Sequence, residues 1–249
     1  MKTQFLLTVA QGKRLIAKAF VKLPEVQSKL KEGRILLISG TTNAYIAQEL
    51  LKEIGVTESF DPGAFYRGIT VPAGQKINGR PFSGDVYIVN GKWEKGATID
   101  KVAADMGNGD IIVKGANAVN LCDRTAGILI GNAAGGTAMH LMGAYYGRRA
   151  RVYIAAGVEK LVSEPIAELV KKMCETDVPG PRLMSIPGEV FTELDALESL
   201  FGVKASLVAK GGVLGAEGGA YFLCEGSEEN INALNDAVRV LHGEGNLAF

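Results

Sequence analysis

Between Lys13 and Lys31 the chain places Leu15, Ile16, Ala19, Phe20, Leu23, Val26 and Leu30 at an approximately helical repeat, with lysines between them. That spacing predicts an amphipathic helix. Pro24 lies inside it, and a residue without an amide hydrogen predicts a bend or a division there. Gly33 stops the pattern. Arg34 to Ser39 (RILLIS) is a short, nearly continuous apolar run, as expected of a central parallel strand buried on both faces. Gly40-Thr41-Thr42-Asn43 then predicts a turn, and Ile46, Ala47, Leu50, Leu51 and Ile54 share one face of a helix over 44–54 that Gly55 caps.

From about Asp61 to Gly96 the pattern differs. Pro62-Gly63, Pro72-Ala73-Gly74, Asn78-Gly79-Arg80-Pro81 and Asn90-Gly91 punctuate short strands such as 85–89, which predicts hairpins and loops. The strand–helix rhythm resumes with a helix over 99–106 and strands at 110–113 (DIIV), 128–130 and 152–155. Further helices are expected over 137–146 and 165–175. Strands alternating with helices predict βαβ units and a parallel sheet. Pro179, Pro181 and Pro187 mark a linker. Beyond it a strand near 190–192, a helix over 193–201, strands at 205–209 and 220–224, and an amphipathic helix over 228–241 are expected. The expected fold is therefore α/β: a parallel-sheet, Rossmann-like three-layer domain over 1–178 with a hairpin-rich insertion at about 61–96. A small α+β, ferredoxin-like segment over 188–249 follows it.

Composition adds constraints. The 249 residues are 47% hydrophobic and 22% charged, with 27 basic against 27 acidic side chains. Such a chain can bury a core, and its balanced charge gives no global reason to seek nucleic acid or an anionic membrane. The Arg148-Arg149-Ala150-Arg151 run reads as a solvated helix end. Three scattered cysteines, Cys122, Cys174 and Cys224, point to a reducing compartment, hence to a cytoplasmic protein. The two histidines, His140 and His242, are too few for an ordinary histidine-based metal site, and no cofactor is expected. The apolar stretch after Lys2 ends too soon for a signal peptide, and no run approaches the ~18 apolar residues of a membrane span.

Three turns are candidates for chemistry. After the strand 34–39, Gly40, Thr41, Thr42 and Asn43 combine a tight turn, hydroxyl and amide donors, and the free amides of a helix N-terminus. Together these can cradle a phosphate or carboxylate at the carboxyl end of a strand. Thr42 or Asn43 serves equally well as a plain N-cap. After 110–113 come Lys114, Gly115, Ala116, Asn117 and Asn120, with Lys114 either facing an anion or sitting in solvent. After 128–130 come Gly135 and Gly136 ahead of a helix. His140, one turn into that helix, has the spacing of a packed core residue. In a parallel sheet such turns share one edge and can converge on one pocket.

The order RILLISGTTNAYIAQELL, then DIIVKGANAVN, then ILIGNAAGGTAMHLMGAYYGRRARVYIAAG resembles a large superfamily over roughly Lys31 to Lys160. Its members are ribose-5-phosphate isomerases, glucosamine-6-phosphate deaminases, CoA transferases and DeoR-type sugar-sensing domains. The resemblance implies that Gly40, Thr41, Thr42 and Asn43 form the phosphate loop, Gly115 and Ala116 the second turn, and Gly135 and Gly136 the third. It also implies a sugar phosphate or CoA-type ligand and a homo-oligomer, with isomerase- or transferase-like activity as one reading and a non-catalytic ligand sensor or a structural oligomer as the alternatives. Isomerase-like members carry acidic residues in the second turn, where this chain has Asn117 and Asn120; an amide is no general base at neutral pH. Lys114, Glu159 and Glu164 remain as weak catalytic candidates.

Overall fold

A computed structural model describes residues 1–68, 70–77 and 80–248. The turn expected at Asn78-Gly79 lies outside the described residues. A six-stranded sheet runs through the molecule in the order β10 (Glu189–Phe191), β8 (Arg151–Ala155), β5 (Ile111–Lys114), β2 (Arg34–Leu37), β3 (Val86–Val89) and β4 (Lys92–Glu94). The first four strands are mutually parallel, and β3 and β4 are antiparallel, so the sheet is mixed. Alternation along the strands sorts side chains to two cores. Ile35, Leu37, Ile111 and Val113 join one, and Leu36, Ile38, Ile112 and Ile154 join the other. Both faces are covered, which is why these strands read as unbroken apolar runs.

The first core is closed by α1 (Val9–Lys22), α3 (Thr41–Glu53) and α7 (Glu193–Phe201). Leu23 ends α1, and Pro24 becomes the first residue of α2 (Pro24–Lys31), where its missing amide hydrogen costs nothing. Capping boxes open two of these helices: Thr8 with Gln11 at α1, and Thr192 with Asp195 at α7. The second core is closed by α4 (Ile99–Val102), α5 (Thr137–Met142) and the small sheet described next. The Asn90-Gly91 pair turns β3 into β4 with both residues at positive φ, 47° and 74°.

Three expectations are corrected. The run 128–130 is not part of the parallel series. It belongs to β7 (Thr125–Ile130), which lies between β6 (Ala118–Asn120) and β9 (Arg182–Ile186) in a separate antiparallel sheet. An apolar run shows that a strand is buried but not which neighbour it pairs with. Second, the proline-marked stretch 179–187 holds β9 rather than only a linker. Third, the boundary near 188 does not separate sheets cleanly. Strand β10 hydrogen-bonds β8 of the six-stranded sheet, and β1 (Lys2–Leu7) pairs with β12 (Ala220–Glu225), which also pairs with β11 (Lys204–Lys210). The final helix α8 (Glu228–Leu241) buries Ile231, Leu234, Val238 and Leu241 in the same core as α1 and α7. No described helix is long and apolar enough to cross a membrane.

Candidate functional site

The carboxyl ends of β2, β5 and β8 are adjacent, and two buried polar side chains anchor the exit of β2. Asn43, wholly buried, donates from Nδ2 to the carbonyl oxygens of Ile38 (2.7 Å) and Val113 (3.1 Å), so it ties β2 to β5. Asp85, 2% exposed, accepts from the Ser39 amide through Oδ1 at 2.9 Å. Its Oδ2 accepts from the Ile99 amide (2.8 Å) and from Arg67 Nη2 (3.3 Å). One carboxylate thus fixes the exit of β2, the start of α4 and an arginine. Gly40 precedes α3 with no side chain to cap it, and its carbonyl accepts from Ala44. The first-turn amides of α3 have no intrahelical acceptor and carry the positive end of the helix dipole.

Above this rim lies a cavity of about 760 Å³. Ser39, Gly40, Thr41 and Thr42 form one wall, Lys114, Gly115, Ala116 and Asn117 the floor, and Lys160, from the turn after β8, a second wall. The stretch from Ile128 to Asn132 joins Gly136, Thr137 and His140 to close it from the β7–α5 side, and Arg67, Gly68, Thr70, Ile99 and Asp100 close it from the other. Lys160 Nζ donates to Thr42 Oγ1 at 3.4 Å. The buried Ser39 hydroxyl has no hydrogen-bond partner among the described residues.

The electrostatics of the cavity favour an anion. Burial pushes the Lys114 ammonium down to about 8; Asp85 opposes that shift, while Arg67 and Lys160 add to it. Lys160 is likewise lowered, by burial first, with Glu159 opposing and Lys13 reinforcing. Asp100 is held low mainly by the nearby Thr98 hydroxyl, with Arg67 and His140 contributing. Among the described residues no hydrogen bond or ion pair holds the Lys114 ammonium. Three cationic side chains therefore line the space, and Asp85, the buried counter-charge, has both oxygens committed.

The structure brings together most of the residues singled out in the sequence. Gly40, Thr41, Thr42, Lys114, Gly115, Ala116, Asn117 and Gly136 all line the cavity. Asn117 Oδ1 accepts from the Leu129 amide at 2.9 Å, so its side chain joins the floor to β7. The side chain of Asn43 faces inward to the sheet, as described. Asn120 is buried as a connector, donating to the Glu164 carbonyl (3.0 Å) and accepting from the Cys122 amide (2.9 Å). Gly135, at φ +77°, makes the turn before α5 without lining the cavity. Glu164 is exposed and pairs with Lys172.

Glu159 sits behind the cavity, against a second carboxylate, Glu193, at the start of α7. A Cβ at Gly157 would overlap both carboxylates, so glycine there is what lets them approach. Glu193 is 3% exposed and accepts from the Val158 amide at 2.8 Å. Burial, reinforced by Glu159, pushes its carboxyl up to about 8. Glu159 Oε1 is buried without a partner among the described residues.

Sequence reasoning did not single out Arg67, Lys160, Asp85 or Glu193. His140, whose spacing suggested a packed core residue, is exposed on the cavity wall. Lys160 carried one usable signal: it follows the apolar strand 151–155 closely enough to reach the same sheet edge. Among the described residues no group of three or more His, Cys, Asp or Glu side chains is arranged to hold a metal ion. Comparison with family models, curated proteins and solved structures returns no match for this chain.

Proposed function

We propose that this chain binds a small metabolite bearing a phosphate or carboxylate, a sugar phosphate or CoA-type compound, at the carboxyl edge of the parallel strands. The observation that carries the reading is the convergence of Arg67, Lys114, Lys160 and the N-terminus of α3 on one cavity of about 760 Å³. That volume suits a ligand of metabolite size. The parallel run β10-β8-β5-β2 supports the Rossmann-like description, since ligands of open α/β sheets sit beyond the carboxyl ends of their strands.

Isomerase- or transferase-like turnover is the active form of this reading, with Asp100, His140, Lys114 and Lys160 as the titratable groups facing the ligand. The alternative, a ligand sensor without turnover, draws support from Asn117, whose amide is bonded to Leu129 and offers no base in the second turn.

Thermal unfolding with inorganic phosphate, sugar phosphates, CoA esters and nucleotides at low ionic strength tests the reading. A ligand at 100 times its Kd stabilises the folded state by about 2.7 kcal/mol. In a chain of this size that raises Tm by roughly 5–10 °C. The shift should shrink strongly in Lys160→Met and in Arg67→Met. If no anion raises Tm, or both variants respond like the parent, the cavity is not an anion site. A product assay on whichever compound binds then separates enzyme from sensor.

A further inference from the structure

We propose that Lys114 is an imine-forming lysine, and that the anionic ligand is a carbonyl compound: an aldehyde or ketone that also carries a phosphate or carboxylate. The inference rests on the anion-binding reading of the same cavity and names the chemistry of its ligand.

Position is the first argument. Lys114 is the last residue of β5, and β5 lies between β2 and β8, so its side chain rises from the middle of the three strand ends. The anion-binding elements flank it: Gly40, Thr41 and Thr42 on the β2 side and Lys160 on the β8 side. A ligand whose anionic group rests on those flanks presents the rest of its body over Lys114.

The second argument is what surrounds the amine. A lysine kept only as a counter-charge is ordinarily paired with a carboxylate or well hydrated. Lys114 is neither. Asp85 is the negative charge that opposes the shift, and the Asp85 oxygens are taken by the Ser39 and Ile99 amides and by Arg67. Its other charged neighbours, Arg67 and Lys160, are cations. Burial beside like charges favours the neutral amine, the form that attacks carbonyls. Its lowered pKa, about 8, agrees with that placement. Lys160 differs, since it already contacts Thr42 and has Glu159 as an opposing charge.

The step balances without an oxidant or reductant. The nitrogen lone pair attacks the carbonyl carbon, and the carbonyl π electrons move to oxygen, which takes up a proton. The resulting carbinolamine loses that oxygen as water while nitrogen gives up its remaining protons and forms the C=N bond. Water adds back to release the carbonyl compound. Asp100 and His140, which line the same cavity and are open to solvent, are placed to relay those protons.

The probe is pyridoxal 5′-phosphate, which joins an aldehyde to a phosphate in one molecule. Full-length protein is incubated with it, reduced with borohydride, and analysed by intact mass and peptide mapping. One equivalent of reduced adduct on Lys114 is expected. It should fall at least tenfold in excess inorganic phosphate, and at least tenfold when pyridoxal, which lacks the phosphate, replaces the probe. Mapping on the unaltered protein makes the result independent of whether Lys114→Met folds. If pyridoxal 5′-phosphate and inorganic phosphate raise Tm but the adduct lies on Lys160 or is scattered over surface lysines, the imine inference is overturned and anion binding stands. If neither compound raises Tm and Lys114 stays unlabelled, both readings fall.

Discussion

Replacing Glu193 with glutamine should remove a pH dependence from the stability of this protein. The Glu193 carboxyl lies against Glu159 behind Gly157, 3% exposed, and its folded pKa is pushed from 4.5 up to about 8 by burial and then by Glu159. Backbone hydrogen bonds and Lys160 oppose that shift but do not overcome it. Between pH 4.5 and about 8 the folded state keeps a proton that the unfolded chain has released. Stability must therefore fall as pH rises through that window, by at most about 1.4 kcal/mol per pH unit. Taken over the whole window the ceiling is about 5 kcal/mol; because Glu159 shares the local field, about 2–4 kcal/mol is expected.

Glutamine keeps an oxygen to accept from the Val158 amide and adds an NH₂ that can donate toward the unpartnered Glu159 oxygen. It carries no charge at any pH. Urea unfolding followed by far-UV circular dichroism, in half-unit steps from pH 5 to 8.5, gives both stability curves. Groups remote from Glu193 titrate alike in both proteins and cancel in the difference. Glu193→Gln should gain on the parent protein steadily from pH 5 to 8. If the two curves run parallel, Glu193 is ionised throughout and the account of the buried carboxylate pair is wrong.

Other perturbations follow from the same geometry. Asn43→Ala removes the two side-chain bonds that reinforce the β2–β5 ladder at its end and should lower unfolding stability by about 2–3 kcal/mol in urea titrations; no change would mean that Asn43 is not a clamp. Asp85→Asn leaves Arg67 without its counter-charge and one of the two anchored amides without a good acceptor, so a loss of about 2–4 kcal/mol is expected by the same assay. Gly91→Ala places a side chain at φ 74° beside the Leu30 carbonyl, and should cost about 1–2 kcal/mol by thermal unfolding.

What the sequence by itself determined is local. Helices α7 and α8 have the bounds that their periodicity predicts, and the Asn-Gly pair at 90–91 turns a hairpin, because helix faces and turn conformations are set by residues only a few positions apart. The strand exit at Gly40 was legible for the same reason, but the helix expected from Ala44 begins at Thr41, so Thr41, Thr42 and Asn43 are its first turn rather than a loop.

Pairing and convergence are not local, and only the tertiary structure decided them. Strand β1 meets β12 across more than two hundred residues of chain, and β7 joins β6 and β9 although its apolar run looks like those of β2 and β5. Nothing in a strand's own alternation names its partner; the packing of every other element does. The same holds at the cavity, where Arg67, Lys114, Lys160 and His140 come from four separated segments. Asn43 shows the converse: its place in a polar turn suggested a ligand donor, and the register of β2 against β5 turned its side chain into the sheet, because a buried carbonyl left without a donor costs more than a lost surface contact.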